Sequence, residues 1–230
     1  MTAAPPPPIF VDIESSGITA GAFPIEIGWA QPRVLDNGVV ELKVRSCLVR
    51  PIDGWTQSPA AWDSAAERVH GLTLDTLLRD GLAVAAVCDT LDEAFAGAEV
   101  VTDTSEDGWD DGWMLALYEA AGRHRRTWTV ANADSGRVVA DHFRRAGLVP
   151  RTARPALLRW TPPHTHAAAQ DALHYAWQWA MAEILARTNA PRLEPSDLAA
   201  ALTDLPSFLD RNAWPRIAAD SLGRFRRRFE

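Results

Sequence analysis

The chain has 230 residues, 47% of them hydrophobic, and a formal net charge of −7. That length fills one substantial core and is short for two, and no run approaches the roughly 20 continuous apolar residues that span a bilayer. The negative balance argues against a broad basic face for duplex DNA, although an acidic metal site subtracts from the count and local patches survive averaging. Cys47 and Cys88 each sit in an apolar segment and read as buried reduced thiols, not as a disulfide framework or a zinc site. The amino-terminal Met1-Thr-Ala-Ala-Pro-Pro-Pro-Pro lacks the basic and apolar regions of a secretion signal, so residence in the cytoplasm is expected. The organisation read from the sequence is a Pro-rich arm over 1–8, one α/β domain over 9–188, and a helical extension over 189–230.

In chain order, extended segments are predicted over 8–14, 23–31 and 39–49, with Asp36-Asn37-Gly38 as the turn between the second and third. Ser58-Pro59 predicts the start of a helix through Glu67, with Ser as cap and Pro in the first turn. Val69-His70-Gly71-Leu72-Thr73 and a further helical stretch from Leu74 follow, and 83–96 reads as another helix, apolar at Val84, Val87, Leu91 and Phe95. A short buried strand over 98–102 delivers Asp103, and a helix runs from Trp109 to Ala121, closed by Gly122. A strand over 127–131 and a helix to Ala146, closed by Gly147, repeat that unit. The longest helical pattern covers 163–188 with Thr165 as its cap, and a last helix is predicted over 195–202 before a basic end, Arg224-Phe-Arg-Arg-Arg228. Three meander strands followed by alternating helices and strands predict a mixed five-stranded sheet flanked by helices.

The chemistry concentrates on carboxylates. Asp12 and Glu14 lie two apart in Ile9-Phe-Val-Asp-Ile-Glu-Ser-Ser-Gly17, so on a strand both project from one face. Two hard oxygen ligands so close suit Mg²⁺ or Mn²⁺, which take carboxylates and leave positions for water and a substrate phosphate. On a helix starting at Trp109, Asp110 heads the stripe Trp113, Met114, Leu117 and Ala121, whereas Asp111 aligns with Leu115 and Tyr118. His166 precedes Asp171 by five residues, about 140° beyond a full helical turn, so the histidine must come from the loop or a frayed first turn if both serve one site. A loop histidine with an ordinary pKa near 6.5 suits proton transfer around neutrality. The ten tryptophans add flat faces on which unpaired bases can stack, although Trp29, Trp177 and Trp179 lie in apolar segments that read as core.

The order Asp-x-Glu, then Asp, then His-x-x-x-x-Asp resembles the three motifs of the DEDDh family of 3′-to-5′ exonucleases, which includes bacterial proofreading subunits. The resemblance covers roughly residues 8 to 185, and Val69-His-Gly-Leu-Thr73 is similar to that family's stretch between the first and second motifs. It implies a ribonuclease-H-like fold and a two-ion site, with Asp12, Glu14 and Asp171 on one ion, Asp12 on a second, Asp110 holding a water, and His166 accepting the proton of the attacking water. It also implies that Ser15, Ser16 and Gly17 lie beside the terminal nucleotide of a single-stranded or frayed DNA or RNA 3′ end. The second-motif aspartate falls on Asp110, with Asp103 as the alternative, because Thr102 to Gly108 carries no asparagine where family members often have one. Two other readings stand beside the exonuclease. One is a degenerate relative that grips 3′ ends or nucleotides without cutting. The other is a phosphodiesterase of short oligonucleotides, which would suit the acidic balance better than long polymers do.

Overall fold

A computed structural model describes residues 6–19, 21–58, 61–104 and 106–225. Residues 1–5 of the Pro-rich arm, Pro59 and the arginines at 226–228 lie outside them.

Alternation along the first strand sets the two faces of the molecule. β1 (Ile9–Ser15) sends Ile9, Val11 and Ile13 into one apolar layer and Phe10 into the other, so Asp12 and Glu14 share the face of Phe10. β2 (Pro24–Val34) and β3 (Val40–Leu48) complete an antiparallel meander, and the turn between them holds Gly38 at φ +82°. Four helices follow: α1 (Asp53–Thr56), α2 (Ser64–His70), α3 (Leu74–Asp80) and α4 (Val84–Ala94). β4 (Glu99–Val101) then pairs parallel with β1, and after α5 (Trp109–Ala120) β5 (Thr129–Val130) pairs parallel with β4. The chain continues through α6 (Ser135–Arg145), α7 (Pro150–Leu157), α8 (Ala168–Leu185), α9 (Pro195–Thr203) and α10 (Leu205–Phe208). β6 (Arg216–Ile217) returns to pair parallel with β3, giving a mixed sheet in the order β5-β4-β1-β2-β3-β6. The five predicted strands are all present, and β6 adds a sixth at the edge.

Helices cover both faces of this sheet. On one side Val11 and Ile27 pack with Val87 and Leu91 of α4 and Met114 and Leu117 of α5. On the other, Phe10, Leu42 and Val44 pack with Val139 and Phe143 of α6 and with the small and aromatic residues of α8. The approach of α8 is set by Gly28, where an added Cβ would lie 2.0 Å from the Ala169 nitrogen and 2.1 Å from the Ala168 carbonyl carbon. Gly28 pairs with Asp12 across the β1–β2 ladder, so this contact brings the start of α8 down over the acidic strand.

Three local expectations change. The helix predicted from Ser58 begins instead at Ser64, because the Asp63 side chain accepts the Ala65 N–H at 2.7 Å while the Asp63 N–H donates to the Ser16 carbonyl at 2.8 Å. The long helix starts at Ala168, with Thr165 in the preceding loop and not in the capping position. α7 was not anticipated: Pro150 opens it correctly, but Pro155 inside it breaks the helical signal that a sequence shows. Among the described residues no helix is long and apolar enough to cross a membrane.

Candidate metal centre

Asp12 is half-buried in the middle of β1, and Glu14 is buried two residues on. Burial raises the Asp12 carboxyl well above the ordinary range, and the charges of Glu14, Asp110, Asp171 and Asp103 raise it further, in that order. Burial, with the Asp171 and Glu26 charges, pushes Glu14 up to about 8. Asp110, at the first turn of α5, is pushed up to about 6 by burial and by Asp103. Five acidic groups from β1, the β4 exit, α5 and α8 therefore act on one another at one end of the sheet. Among the described residues no lysine or arginine forms an ion pair with any of the five; His164 is the basic partner of Asp171.

Each element delivers its carboxylate for a local reason. Asp110 is fixed by Thr104, whose hydroxyl donates to Asp110 Oδ2 at 3.2 Å and accepts the Asp110 N–H at 3.2 Å. Asp171 is buried in the first turn of α8 and accepts the Thr165 N–H at 2.8 Å and the His166 N–H at 3.1 Å. These two bonds hold 165–166 as a loop and explain why the helix cannot start earlier. They go with an unusual backbone: His166 sits at φ +53°, a left-handed conformation uncommon for a non-glycine residue. The histidine thus comes from the loop, as the five-residue spacing to Asp171 demands, and its ring is exposed. Donor atoms of Glu14, His166 and Asp171 all lie within 4.8 Å of one another.

The turn after β1 is built from its own side chains. Ser15 Oγ donates to the Gly17 carbonyl at 2.7 Å, and Ser16 Oγ accepts the Phe23 N–H at 3.0 Å. A Cβ on Gly17 would lie 3.0 Å from that of Asp63, so the small residue lets the turn before α2 close against it. The Ser15 and Ser16 hydroxyls are therefore committed to folding the turn.

Three participants escaped the sequence reading. Glu26 is fully buried and faces Glu14 in the β1–β2 register; its signal was a charge inside the apolar run Pro24 to Ala30. His164 Nδ1 lies 3.5 Å from Asp171 Oδ2, and this hydrogen bond raises the imidazole above its ordinary pKa. Tyr175 donates its hydroxyl to Asp103 Oδ2 at 3.3 Å, one turn along α8 from Asp171. Asp103 and Asp110 both belong to the cluster, and Asp110 acts more strongly on Asp12.

A centre of several carboxylates with a loop histidine, at one end of this sheet, can be compared with solved structures. The zinc-bound complex of E. coli exonuclease I with single-stranded DNA superposes with a TM-score of 0.53 at 15% identity, over 84% of this chain and 42% of that one. E. coli exonuclease I with a dA16 oligonucleotide gives 0.52 at 14% identity, over 90% and 46%. A full-length 3′-exonuclease gives 0.50 at 16% identity, over 75% and 79%. The chain shares the fold of these exonucleases. It spans less than half the length of the E. coli exonuclease I chains it matches. No family model and no curated protein matches the sequence.

Proposed function

We propose that the chain is a divalent-metal-dependent 3′-to-5′ exonuclease of the DEDDh kind, acting on single-stranded or frayed DNA or RNA and releasing nucleoside 5′-monophosphates. The observation that carries this reading is the cluster itself: Glu14, His166 and Asp171 bring donor atoms within 4.8 Å of one another, the charges of Asp12 and Asp110 act on the same group, and no arginine or lysine pairs with any of the four carboxylates among the described residues. Like charges held this close call for a cation, and hard oxygen donors fit Mg²⁺ or Mn²⁺. Asp12, Glu14 and Asp171 would hold one ion and Asp12 would share a second. When bound, such ions neutralise phosphate charge and make water a stronger nucleophile near neutral pH.

The protein groups then have distinct tasks. His166 takes the proton of the attacking water, and the two N–H bonds to Asp171 hold its loop at the rim of the cluster. Asp110, fixed by Thr104, orients that water, with Asp103 held back by Tyr175. Ser15, Ser16 and Gly17 form a small turn against which the terminal sugar can lie. The exonuclease I structures that share the fold hold single-stranded oligonucleotides, which supports the same substrate class here.

The test is release of mononucleotides from 3′- and 5′-labelled DNA and RNA oligomers of graded length, with Mn²⁺ or with EDTA. Stepwise shortening from the 3′ end that needs Mn²⁺ and is lost in His166→Ala is the expected result. Activity confined to the shortest oligomers would favour the small-phosphodiester reading, and binding of 3′ ends without any cleavage would replace the enzyme with a binding protein.

A further inference from the structure

The last described residues reach the catalytic end of the sheet. From β6 onward the chain runs beside β3: the Ala218 N–H donates to the Leu42 carbonyl at 2.8 Å, the Leu222 N–H to the Val44 carbonyl at 2.9 Å, and the Ser46 N–H to the Leu222 carbonyl at 3.0 Å. Gly223 follows at φ +134°, where a Cβ would lie 2.5 Å from Ser46 Oγ and 2.6 Å from the Ser46 nitrogen. Only glycine lets the chain press onto β3 there, and the next residue is aimed inward as a result. Arg224 places Nη1 2.9 Å from Glu26 Oε2 and donates from Nη2 to the His70 carbonyl at 2.7 Å. Glu26 is fully buried, accepts the Ser46 hydroxyl at 2.8 Å and the Ala168 N–H at 3.3 Å, and faces Glu14 across the ladder.

We propose that Arg224 is a positioning residue of the metal centre: by pairing with Glu26 it fixes the carboxylate that holds the first turn of α8 against the sheet beside Glu14, and it ties the last residue of α2 to the same point. This deepens the exonuclease reading, since it takes Glu14 and Asp171 as ion ligands. The pair answers a specific difficulty. A buried Glu26 without Arg224 would be an unpaired carboxylate directly opposite Glu14, steadied only by the Ser46 hydroxyl and the Ala168 N–H among the described residues.

Full-length R224A, R224Q, G223A and the double variant E26Q/R224A test this by two readouts that need no substrate, Mn²⁺ calorimetry and amide exchange over 165–172. R224A and R224Q are expected to weaken Mn²⁺ binding by about 10–100-fold, the usual range for groups that orient metal ligands, and to speed exchange in that segment. G223A should reproduce both effects with the arginine still present. E26Q/R224A should regain most of the loss, because the uncompensated carboxylate is gone; a purely structural loss of the tail would not be rescued in this way. Wild-type Mn²⁺ affinity and exchange in R224A, even with a lowered melting temperature, would overturn the proposal. If the wild type cleaves no oligomer or binds no Mn²⁺, the exonuclease reading falls, and exchange over 165–172 still decides the role of Arg224.

Discussion

Asp110 and Asp111 are neighbours in sequence and both are buried, yet they occupy opposite electrostatic situations. Asp111 accepts from Arg126 at 2.7 Å, and that guanidinium lies 4.7 Å over the Trp128 ring. Asp110 faces Asp103 and, among the described residues, is steadied by Thr104 and backbone groups. The same division holds for Asp92, which is bonded to Arg123, Tyr118 and Thr127, against Asp12, on which the charges of Glu14, Asp110, Asp171 and Asp103 act. Where arginine meets the carboxylates outside the cluster and, among the described residues, only His164 pairs with one inside it, the contrast supports the proposal that the cluster takes an external cation.

The largest effect should come from Asp12→Asn, which removes the group that faces the rest of the cluster; its hydrolysis of labelled oligomers is expected to fall to the level of the EDTA-treated wild type. The paired variants at α5 should then diverge in sign. Asp111→Ala leaves Arg126 without its partner and should cost about 3 kcal/mol in urea unfolding while oligomer cleavage by the folded fraction persists. Asp110→Asn relieves repulsion and should raise stability by roughly 1–3 kcal/mol near neutral pH without divalent ions, with loss of cleavage. If both variants destabilise alike, the contrast between the two aspartates is wrong.

The pH dependence of stability sharpens the contrast. Glu14 and Asp110 have folded values pushed up to about 8 and about 6, above their unfolded values, so the folded state binds more protons than the unfolded one. Stability from these groups is therefore fully present below about pH 4 and is lost as pH rises through about 6 and then about 8. Thermal melts in EDTA should show this decline, and Mn²⁺ should flatten it by supplying the missing positive charge. The smallest effect is expected for His164→Ala: it removes a partner of Asp171 but no proposed ligand, and should reduce cleavage by about tenfold at most.

Much of the site was legible because it obeys periodicities that a sequence displays. Strand alternation placed Asp12 and Glu14 on one face, helical spacing brought Asp110 to the buried side of α5, and the five-residue gap from His166 to Asp171 demanded a loop. What escaped depended on partners far along the chain. Glu26 looks like a misplaced charge until Ser46, Ala168 and Arg224 converge on it, 20, 142 and 198 residues away. β6 is two residues long and carries no pattern of its own; its backbone bonds to β3 define it. The start of α2 was misread for a similar reason, since Asp63 is held by Ser16 at the end of β1 and outcompetes the local Ser-Pro signal.

The Gly28 contact has one more consequence. Backbone meets backbone there, so no side chain can change rotamer to absorb strain, and the separation of the β1–β2 ladder and the first turn of α8 is set at that contact. The centre therefore behaves as a calliper whose jaws are set during folding. On the proposed metal reading, an incoming ion would meet that preset backbone gap, and discrimination between ions of different radius would follow from it.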